Sequence, residues 1–225
     1  MKRVVFPQGA PRSLAFYLAA EEYLAESAHE DLFFTWQSPP TVICGRNQVI
    51  ENEVNLEYCR DRGIEVVRRK SGGGCVYSDE GNVMLSYITP DRGVEEVFAR
   101  YMQMVAGVLR GLGFEAVTTE HNDILIGGRK VSGNACFAHP KATIVHGTML
   151  VDLDFEALEK STTPSAEKLA KHGVQSVRQR VVNLRALGLT LSPAELRDRF
   201  ERELCAGELQ LSAEDIEKII KFETT

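Results

Sequence analysis

Three consecutive glycines follow a run of basic residues in the stretch RRKSGGGCVYSDEGN, residues 68–82. Glycine loses much conformational entropy on folding, so three in a row indicate backbone that must come close to something. The cationic side chains beside them favour an anion as that partner. The alternative is an ordinary hairpin loop with a solvated basic flank, and the glycines alone do not decide between the two.

A second stretch, HNDILIGGRKVSGNA (121–135), places one lysine, Lys130, in an otherwise apolar strand. A cation there would stabilise developing negative charge in a reaction, or it would protect an exposed edge strand. Asp123 could hold Mg²⁺ or simply begin the strand as an Asx-turn. His146, which opens HGTMLVD, is either a ligand contact or a hydrogen-bonded core residue.

The composition narrows the class of protein. Of the 225 residues, 44% are hydrophobic and 26% are charged, as is typical of a globular chain, and the net charge is −6. That charge argues against binding nucleic acid over a large surface. The sequence has no run of about 18 apolar residues and no secretory signal, so we expect no membrane span and a cytoplasmic location. The five cysteines show no metal-binding spacing and fit reduced thiols.

Four segments carry helical patterns. Apolar spacing predicts a helix over 13–28 with Ser13 as its N-cap. A short helix is predicted to end at Gly63, and a long amphipathic helix spans 94–114. From residue 155 the pattern is mainly helical, with helices predicted over DFEALEKST, SAEKLAKHG and SPAELRDRFERELCAG. Ser192-Pro193 begins one of these helices.

Strands occupy most of the remaining chain and set the fold class. The strand IEVVRRK (64–70) runs into the glycines and NVMLSYI (82–88) leaves them, so we expect a hairpin-like pair. The glycines do not lie between a strand and a helix, which disfavours a Rossmann fold. The order of elements predicts one α+β domain with a mixed or antiparallel sheet flanked by helices.

Four stretches in this order make the chain resemble the lipoate–protein ligases, within the biotin/lipoate ligase superfamily. The resemblance covers about residues 14–184 and implies the catalytic-domain fold of that superfamily, which is similar to class II synthetases. It predicts a catalytic core over 1–185, with 186–225 as a helical extension of the same domain and no separate accessory domain. The stretches are RRKSGGGCVYSDEGN, HNDILIGGRKVSGNA, HGTMLVD and EKLAKHGVQSVRQRVVNL.

The resemblance implies an enzyme that activates lipoate with ATP and Mg²⁺ to lipoyl-AMP, then acylates a lysine of an acceptor domain. Lys130 corresponds to the family's central lysine, which contacts the lipoyl carboxylate and the α-phosphate. Neighbouring residues on a strand face opposite ways, so only one of Arg68 and Arg69 is expected in the site. The resemblance favours Arg69. Lys70 is expected to lie at the solvated surface.

The implied site residues fall into three groups. The residues for ATP and lipoyl-AMP are Arg69, Gly72, Gly73, Gly74, Cys75, Val76, Tyr77, Asn82, Asp123, Lys130, Ser132 and Gly133. The lipoate-binding residues are Gly74, Lys130, His146 and Gly147. Asp123 is the predicted Mg²⁺ ligand. Arg178 and Arg180 are predicted on one face of an extended, mainly structural segment that could contact the acceptor or the nucleotide.

The chain departs from the family pattern at three places. Ser78 stands where relatives commonly have His, and Cys75 and Cys136 stand where they often have Ala and an aromatic residue. Single-chain relatives also continue into a small C-terminal domain. We therefore expect either a separate small subunit, or an enzyme that works without that domain, or a shortened sequence.

Three other functions are weighed against the ligase. An octanoyl- or lipoyl-transferase would form a thioester on cysteine, but the loop before the Lys130 strand, AVTTEHNDILIGG, has no cysteine, which leaves Cys136 as the nearest substitute. A non-catalytic subunit of a larger ligase is disfavoured by the intact Arg69, Gly74 and Lys130. A biotin ligase is disfavoured by the SVRQRVVNL segment.

The expected partners are lipoyl acceptor domains, such as 2-oxoacid dehydrogenase E2 subunits or the glycine cleavage H protein.

Overall fold

The computed structural model describes residues 1–10, 13–120, 122–163 and 177–223. Eleven strands are found in this part of the chain. They are β1 (Lys2–Val5), β2 (Leu32–Trp36), β3 (Thr41–Cys44), β4 (Glu65–Arg68), β5 (Val76–Ser78), β6 (Asn82–Thr89), β7 (Ala116–Thr118), β8 (Asp123–Ile126), β9 (Arg129–Ala138), β10 (Thr143–Leu150) and β11 (Gly207–Gln210).

The helices of the described part lie between and after these strands. They are α1 (Leu14–Ser27), α2 (Ile50–Glu53), α3 (Leu56–Arg62), α4 (Val94–Gly111), α5 (Phe155–Ser161), α6 (Val177–Arg180), α7 (Pro193–Leu204) and α8 (Ala213–Glu223), with one 3₁₀ turn at Arg185–Leu187. The described residues contain no helix long and apolar enough to cross a membrane.

Eight strands form one mixed sheet in the order β11-β1-β2-β6-β10-β9-β8-β7. Strand β1 runs parallel to both β11 and β2, and the remaining neighbours are antiparallel. A second sheet has the order β4-β3-β5, with β3 parallel to β4 and antiparallel to β5. The predicted α+β class with mixed sheets is therefore confirmed.

Helices cover both faces of the large sheet. One core cluster joins residues of α4 and α7 to the sheet, with Phe33, Leu85 and Tyr101 fully buried. The other joins α1 and α8 to the opposite face, around Phe16 and Trp36. Alternate residues of β2 enter opposite cores, as the two-residue period of a strand requires.

The strand that enters the glycines and the strand that leaves them do not pair, contrary to the hairpin prediction. Strand β4 pairs with β3 in the small sheet, whereas β6 pairs with β2 and β10 in the large sheet. The intervening β5 also joins β3. The segment that holds the three glycines, residues 72–74, is called the glycine loop. It therefore lies between two strands of the small sheet, before the chain passes to the large one.

Local sequence signals place the helix boundaries well. The Ser13 hydroxyl accepts a hydrogen bond from the Phe16 N–H, which caps α1 as predicted. Gly63 ends α3 in a left-handed conformation that glycine adopts at little cost. Ser192 and Glu195 form a capping box at the start of α7.

The C-terminal part differs from its prediction in two details. Residues 207–210 form β11, an edge strand of the large sheet, within the segment predicted as a helical extension. Residues 177–180 form a turn of helix rather than an extended segment. The helix predicted around SAEKLAKHG lies outside the described residues.

Candidate active site

A cavity of about 490 Å³ lies between the glycine loop, α1 and the centre of the large sheet. Most of the predicted site residues line it. The lining comprises Leu14, Leu18, Trp36, Ile43, Arg69, Gly72, Gly73, Gly74, Cys75, Val76, Met84, Asn122, Asp123, Lys130, Gly133, Asn134, Ala135, Cys136, His146, Gly147, Thr148 and Arg180.

The chemistry of the lining differs from one element to the next. Helix α1 contributes Leu14 and Leu18, while β2 and β6 contribute Trp36 and Met84, all of them apolar. The polar side chains come mainly from β8, β9 and α6. Such a cavity suits a ligand with an apolar tail and an anionic head.

Lys130 forms an ion pair with Asp123 at 2.7 Å, and Arg180 binds the other oxygen of the same carboxylate at 2.6 Å. Burial lowers the pKa of Lys130 below its ordinary value, although the Asp123 charge opposes this shift. The cluster therefore holds two cations against one buried carboxylate, which leaves positive charge for an anionic ligand.

Lys130 does not lie at a sheet edge. Strand β9 is hydrogen-bonded to β10 on one side and β8 on the other, so a role in protecting an edge strand is excluded. The backbone of Lys130 also binds the segment that follows α6, because its carbonyl accepts a hydrogen bond from the Val182 N–H at 2.9 Å. This contact brings Arg180 to the cavity.

Asp123 does not fit the role of a Mg²⁺ ligand in this arrangement. Both of its oxygens are engaged by the cations of Lys130 and Arg180, and the described residues contain no cluster of metal-binding side chains. The carboxylate instead acts as the shared anion of an ion-pair cluster. The prediction that Asp123 holds Mg²⁺ stays a prediction.

Arg69 holds the glycine loop in shape from inside. Its guanidinium donates to the carbonyl oxygens of Gly72 and Gly74, at 2.7 and 2.9 Å, and to that of Ile43 at 3.1 Å. Burial lowers its pKa. Arg68 faces the other way and donates to backbone carbonyls of residues 45, 46 and 48, as the strand alternation predicts.

His146 lies at the centre of a buried chain of hydrogen bonds. Its Nδ1 is 2.8 Å from a carboxylate oxygen of Glu21, and its Nε2 is 2.7 Å from the Ser71 hydroxyl. The Ser71 oxygen in turn accepts a hydrogen bond from Nε of Arg69 at 3.0 Å. These contacts link α1, the centre of the sheet and the glycine loop.

Residues 13–205 match the family described as the lipoyl protein ligase A/B catalytic domain. The chain belongs to this family. The predicted resemblance to lipoate–protein ligases is thereby confirmed.

Individual lipoyl protein ligases show where the similarity lies. The chain is 37% identical to lipoate-protein ligase LplJ of Bacillus subtilis (strain 168) over 170 residues, which cover 74% of this chain and 51% of LplJ. The chain thus spans about half the length of this relative.

Solved structures of similar fold cover almost the whole chain. One, described as a bi-partite lipoate protein ligase with its E2 lipoyl domain from Thermoplasma acidophilum, gives a TM-score of 0.84 at 26% identity. The match covers 100% of this chain and 92% of that one. A T. acidophilum protein described as a lipoate protein ligase with bound lipoic acid gives 0.81 at 25% identity, over 98% and 93% of the two chains.

Glu21 holds the cavity residue His146 in this lipoyl protein ligase domain, a contact that motif reasoning missed. It is 2% exposed, and besides His146 it accepts a hydrogen bond from the Ser86 hydroxyl. Ser86 accepts one from the Trp36 indole at 2.9 Å. A signal exists in the sequence, because Glu21 falls on the apolar stripe of α1 together with Tyr17 and Leu24.

Three residues predicted for the nucleotide do not line the cavity. Tyr77 packs into the core of the small sheet. Ser132 is buried and donates to the Asn134 side chain at 3.3 Å. The Asn82 amide is fully buried and has no hydrogen-bond partner within the described part of the protein. Their roles in binding stay predictions.

Gly45 supports the glycine loop by letting two stretches of backbone meet. A Cβ atom at this position would overlap the Gly73 carbonyl oxygen and lie 2.9 Å from its carbon. Because backbone cannot rotate aside as a flexible side chain does, the loop would have to shift. Gly45 is therefore a residue on which the shape of the predicted phosphate site depends.

Replacing Gly45 with alanine is expected to lower the free energy of unfolding by about 1–3 kcal/mol, the usual range for overpacking. Urea unfolding of the purified chain measures this change. Gly107→Ala is the matched control, since a Cβ there meets open space within α4. It should preserve stability or raise it by up to about 1 kcal/mol. Equal stabilities of the two variants would refute the close-packing role of Gly45.

Proposed function

We propose that this protein is a lipoate–protein ligase, which converts lipoate and ATP to lipoyl-AMP and pyrophosphate and then acylates a lysine of a lipoyl acceptor domain. The observation that carries the proposal is that one cavity joins the Arg69-supported glycine loop and Lys130 to an apolar wall formed by α1, β2 and β6. Membership of the lipoyl protein ligase family and the likeness to a lipoic acid-bound structure support it.

The apolar wall suits the hydrocarbon chain and dithiolane ring of lipoate. Leu14, Leu18 and Met84 present aliphatic or thioether surface, and Trp36 adds an aromatic one. Burying such a tail contributes about 0.8 kcal/mol for each methylene removed from water. The carboxylate head is then directed towards the cations and the glycine loop.

The first step that we propose is attack of the lipoate carboxylate on the α-phosphorus of ATP. A bond forms between a carboxylate oxygen and phosphorus, and the bond to the leaving pyrophosphate breaks. Lys130 balances the charge on the carboxylate and the α-phosphate as they approach. The N–H groups of Gly72, Gly73 and Gly74 are available to phosphate oxygens, because Arg69 binds the loop through its carbonyl groups.

In the second step the acceptor lysine attacks the carbonyl carbon of lipoyl-AMP and expels AMP. The negative charge that develops on the carbonyl oxygen and the departing phosphate falls near Lys130. Before either step, Lys130 must exchange part of its contact with Asp123 for the ligand. Arg180 makes this exchange easier, since it remains bound to the other oxygen of Asp123 and keeps that carboxylate compensated.

The cysteine-dependent transferase has little support from the geometry. Cys136 lines the cavity, but burial raises the pKa of its thiol to about 11. A thiol that stays protonated near neutral pH is a poor acyl acceptor. The non-catalytic subunit is likewise disfavoured, because Arg69, Gly74 and Lys130 lie together in one cavity.

We place the enzyme in the cytoplasm, where its five cysteines would stay reduced, and propose lipoyl acceptor domains as its protein substrates. We also propose a small accessory subunit. The support is the likeness over the whole chain to the bi-partite ligase from T. acidophilum, whose description includes an E2 lipoyl domain.

Transfer from synthetic lipoyl-AMP to a purified lipoyl domain tests the function directly. Intact mass should show one lipoyl group on the acceptor, and none on an acceptor whose target lysine is replaced by alanine. The ligase chain itself should carry no hydroxylamine-labile acyl group after incubation with octanoyl- or lipoyl-carrier protein. An adduct that forms in the wild type and is abolished by Cys136→Ser would favour the transferase instead.

A further inference from the structure

We propose that Cys44 and Cys75 form a reversible disulfide when the enzyme meets a peroxide, and that this bond is a modification site in the wall of the cavity. The sulfur atoms of the two residues are 3.1 Å apart. Neither sulfur reacts in the proposed acyl transfer, although Cys75 is among the residues predicted to bind ATP and lipoyl-AMP and lines the cavity. The disulfide itself is independent of the proposed function, whereas its effect on activity rests on that function.

The two cysteines face each other across the end of a strand pair. In the antiparallel β3–β5 pair, Val42 is opposite Tyr77 and Ile43 is opposite Val76. One step further, the same register brings Cys44 opposite Cys75. Opposed residues in antiparallel strands have Cα atoms about 4.5–5.5 Å apart, within the range of about 4.4–6.8 Å that a disulfide needs.

Access and charge indicate which sulfur reacts first. Cys75 is partly exposed and lines the cavity, whereas Cys44 is fully buried beneath it. The buried guanidinium of Arg69 binds the carbonyl oxygen of Gly74, the residue before Cys75, at 2.9 Å. A neighbouring cation of this kind stabilises a thiolate, which is the form that peroxides oxidise.

The reaction is balanced in two steps. The Cys75 thiolate attacks one oxygen of hydrogen peroxide, which breaks the O–O bond, releases hydroxide and leaves a sulfenic acid on Cys75. The Cys44 sulfur, having lost its proton to that hydroxide, then attacks the sulfenic sulfur. The S–S bond forms and the S–O bond breaks. The leaving hydroxide takes up the proton that Cys75 released when it ionised, so that water leaves. Overall, two thiols and one peroxide give one disulfide and two waters.

A third thiol, that of Cys59, is a competing partner for Cys44. Cys59 belongs to the same buried cluster and lies near Cys44, but burial raises the pKa of Cys59 and it does not line the cavity. A peroxide entering through the cavity meets Cys75 first. We therefore expect the linkage Cys44–Cys75 rather than Cys44–Cys59.

The bond should disturb the glycine loop, which ends next to Cys75. A disulfide brings the sulfurs to about 2.05 Å, so at least one of the strand ends must shift. Gly45 already touches Gly73 with no space for a Cβ atom, so little room exists to absorb the movement. Displacements of about 1 Å in such sites can cost activity up to a hundredfold.

Treatment of the purified chain with hydrogen peroxide, followed by alkylation and proteolysis, tests the pairing. Intact mass should fall by two hydrogens, and the peptides containing Cys44 and Cys75 should be recovered as a linked pair that dithiothreitol separates. Transfer from lipoyl-AMP should fall about tenfold or more and recover on reduction. A linkage to Cys59, or sulfinic acid on Cys75 without any linkage, would overturn the proposal.

Two variants separate the disulfide from other oxidation. Cys75→Ser and Cys44→Ala should each abolish the linked peptides, and the ratio of oxidised to untreated activity of Cys75→Ser should approach one. Cys205→Ser is the matched control, because Cys205 lies at the end of α7 outside the cavity. This variant should form the Cys44–Cys75 linkage to the same extent as the wild type. Since linkage is read by mass, it is decided even if the chain fails to transfer lipoate. Loss of the linkage in Cys205→Ser would contradict the assignment.

Discussion

Lys130→Ala is expected to lower the rate of lipoyl transfer from lipoyl-AMP by about a hundredfold to a thousandfold, as the removal of one charge-stabilising group usually does. The reason is that Lys130 is the cation on the cavity wall whose partner, Asp123, is already held by Arg180. Single-turnover transfer to a lipoyl domain measures the loss without interference from the activation step.

The variant should still fold, which keeps the test sharp. Removing Lys130 leaves Asp123 paired with Arg180, so no buried carboxylate is left uncompensated. Lys70→Ala is the control. Lys70 is well exposed and pairs only at the surface with Glu22, so its loss should change the rate little. Wild-type turnover in Lys130→Ala would show that the assignment of Lys130 is wrong.

The 225-residue chain alone is expected to activate lipoate slowly while transferring preformed lipoyl-AMP well. Lys130 and Arg180 keep 18% and 28% of their side-chain surface exposed, so water reaches the charged end of the cavity. Water weakens the electrostatic stabilisation of the attack on the α-phosphate, and a covering domain would exclude it. Pyrophosphate release and transfer, measured on one preparation, give the two rates.

A small partner protein should restore the first rate and leave the second nearly unchanged. The likeness to the bi-partite ligase from T. acidophilum motivates this expectation. If pyrophosphate release by the chain alone matches the rate of transfer from lipoyl-AMP, activation needs no partner and the two-component proposal fails. If the chain does neither, the proposed enzyme activity itself must be withdrawn.

Most of the fold's local elements could be predicted, because their signals are short-range. Ser13, Gly63 and Ser192 mark helix ends by hydrogen bonds or backbone angles that depend only on nearby residues. The pairing of β4 could not be predicted in this way. Its partner β3 precedes it by more than twenty residues, and no local pattern distinguishes that partner from β6.

The residues of the site likewise divide into those that the sequence could predict and those that it could not. Motif resemblance led to Arg69, Lys130 and His146, and all three line one cavity. It also predicted Mg²⁺ at Asp123, which stays a prediction. Only the tertiary structure shows that Arg180, from a distant segment, binds this carboxylate. Glu21 was missed although it falls on the apolar stripe of α1, because the sequence does not show which partners its carboxylate meets.

The sequence by itself determined the α+β class, the positions of most helices and strands, the family, and which residues carry charge near the glycines. These follow from periodicity, capping residues and motifs that are readable along the chain. Only the tertiary structure decided what each polar group faces. The Glu21–His146–Ser71 chain, the shared Asp123 and the Cys44–Cys75 contact join residues up to 125 positions apart. Such contacts depend on how the two sheets and α1 pack against one another, and a one-dimensional pattern does not encode that packing locally.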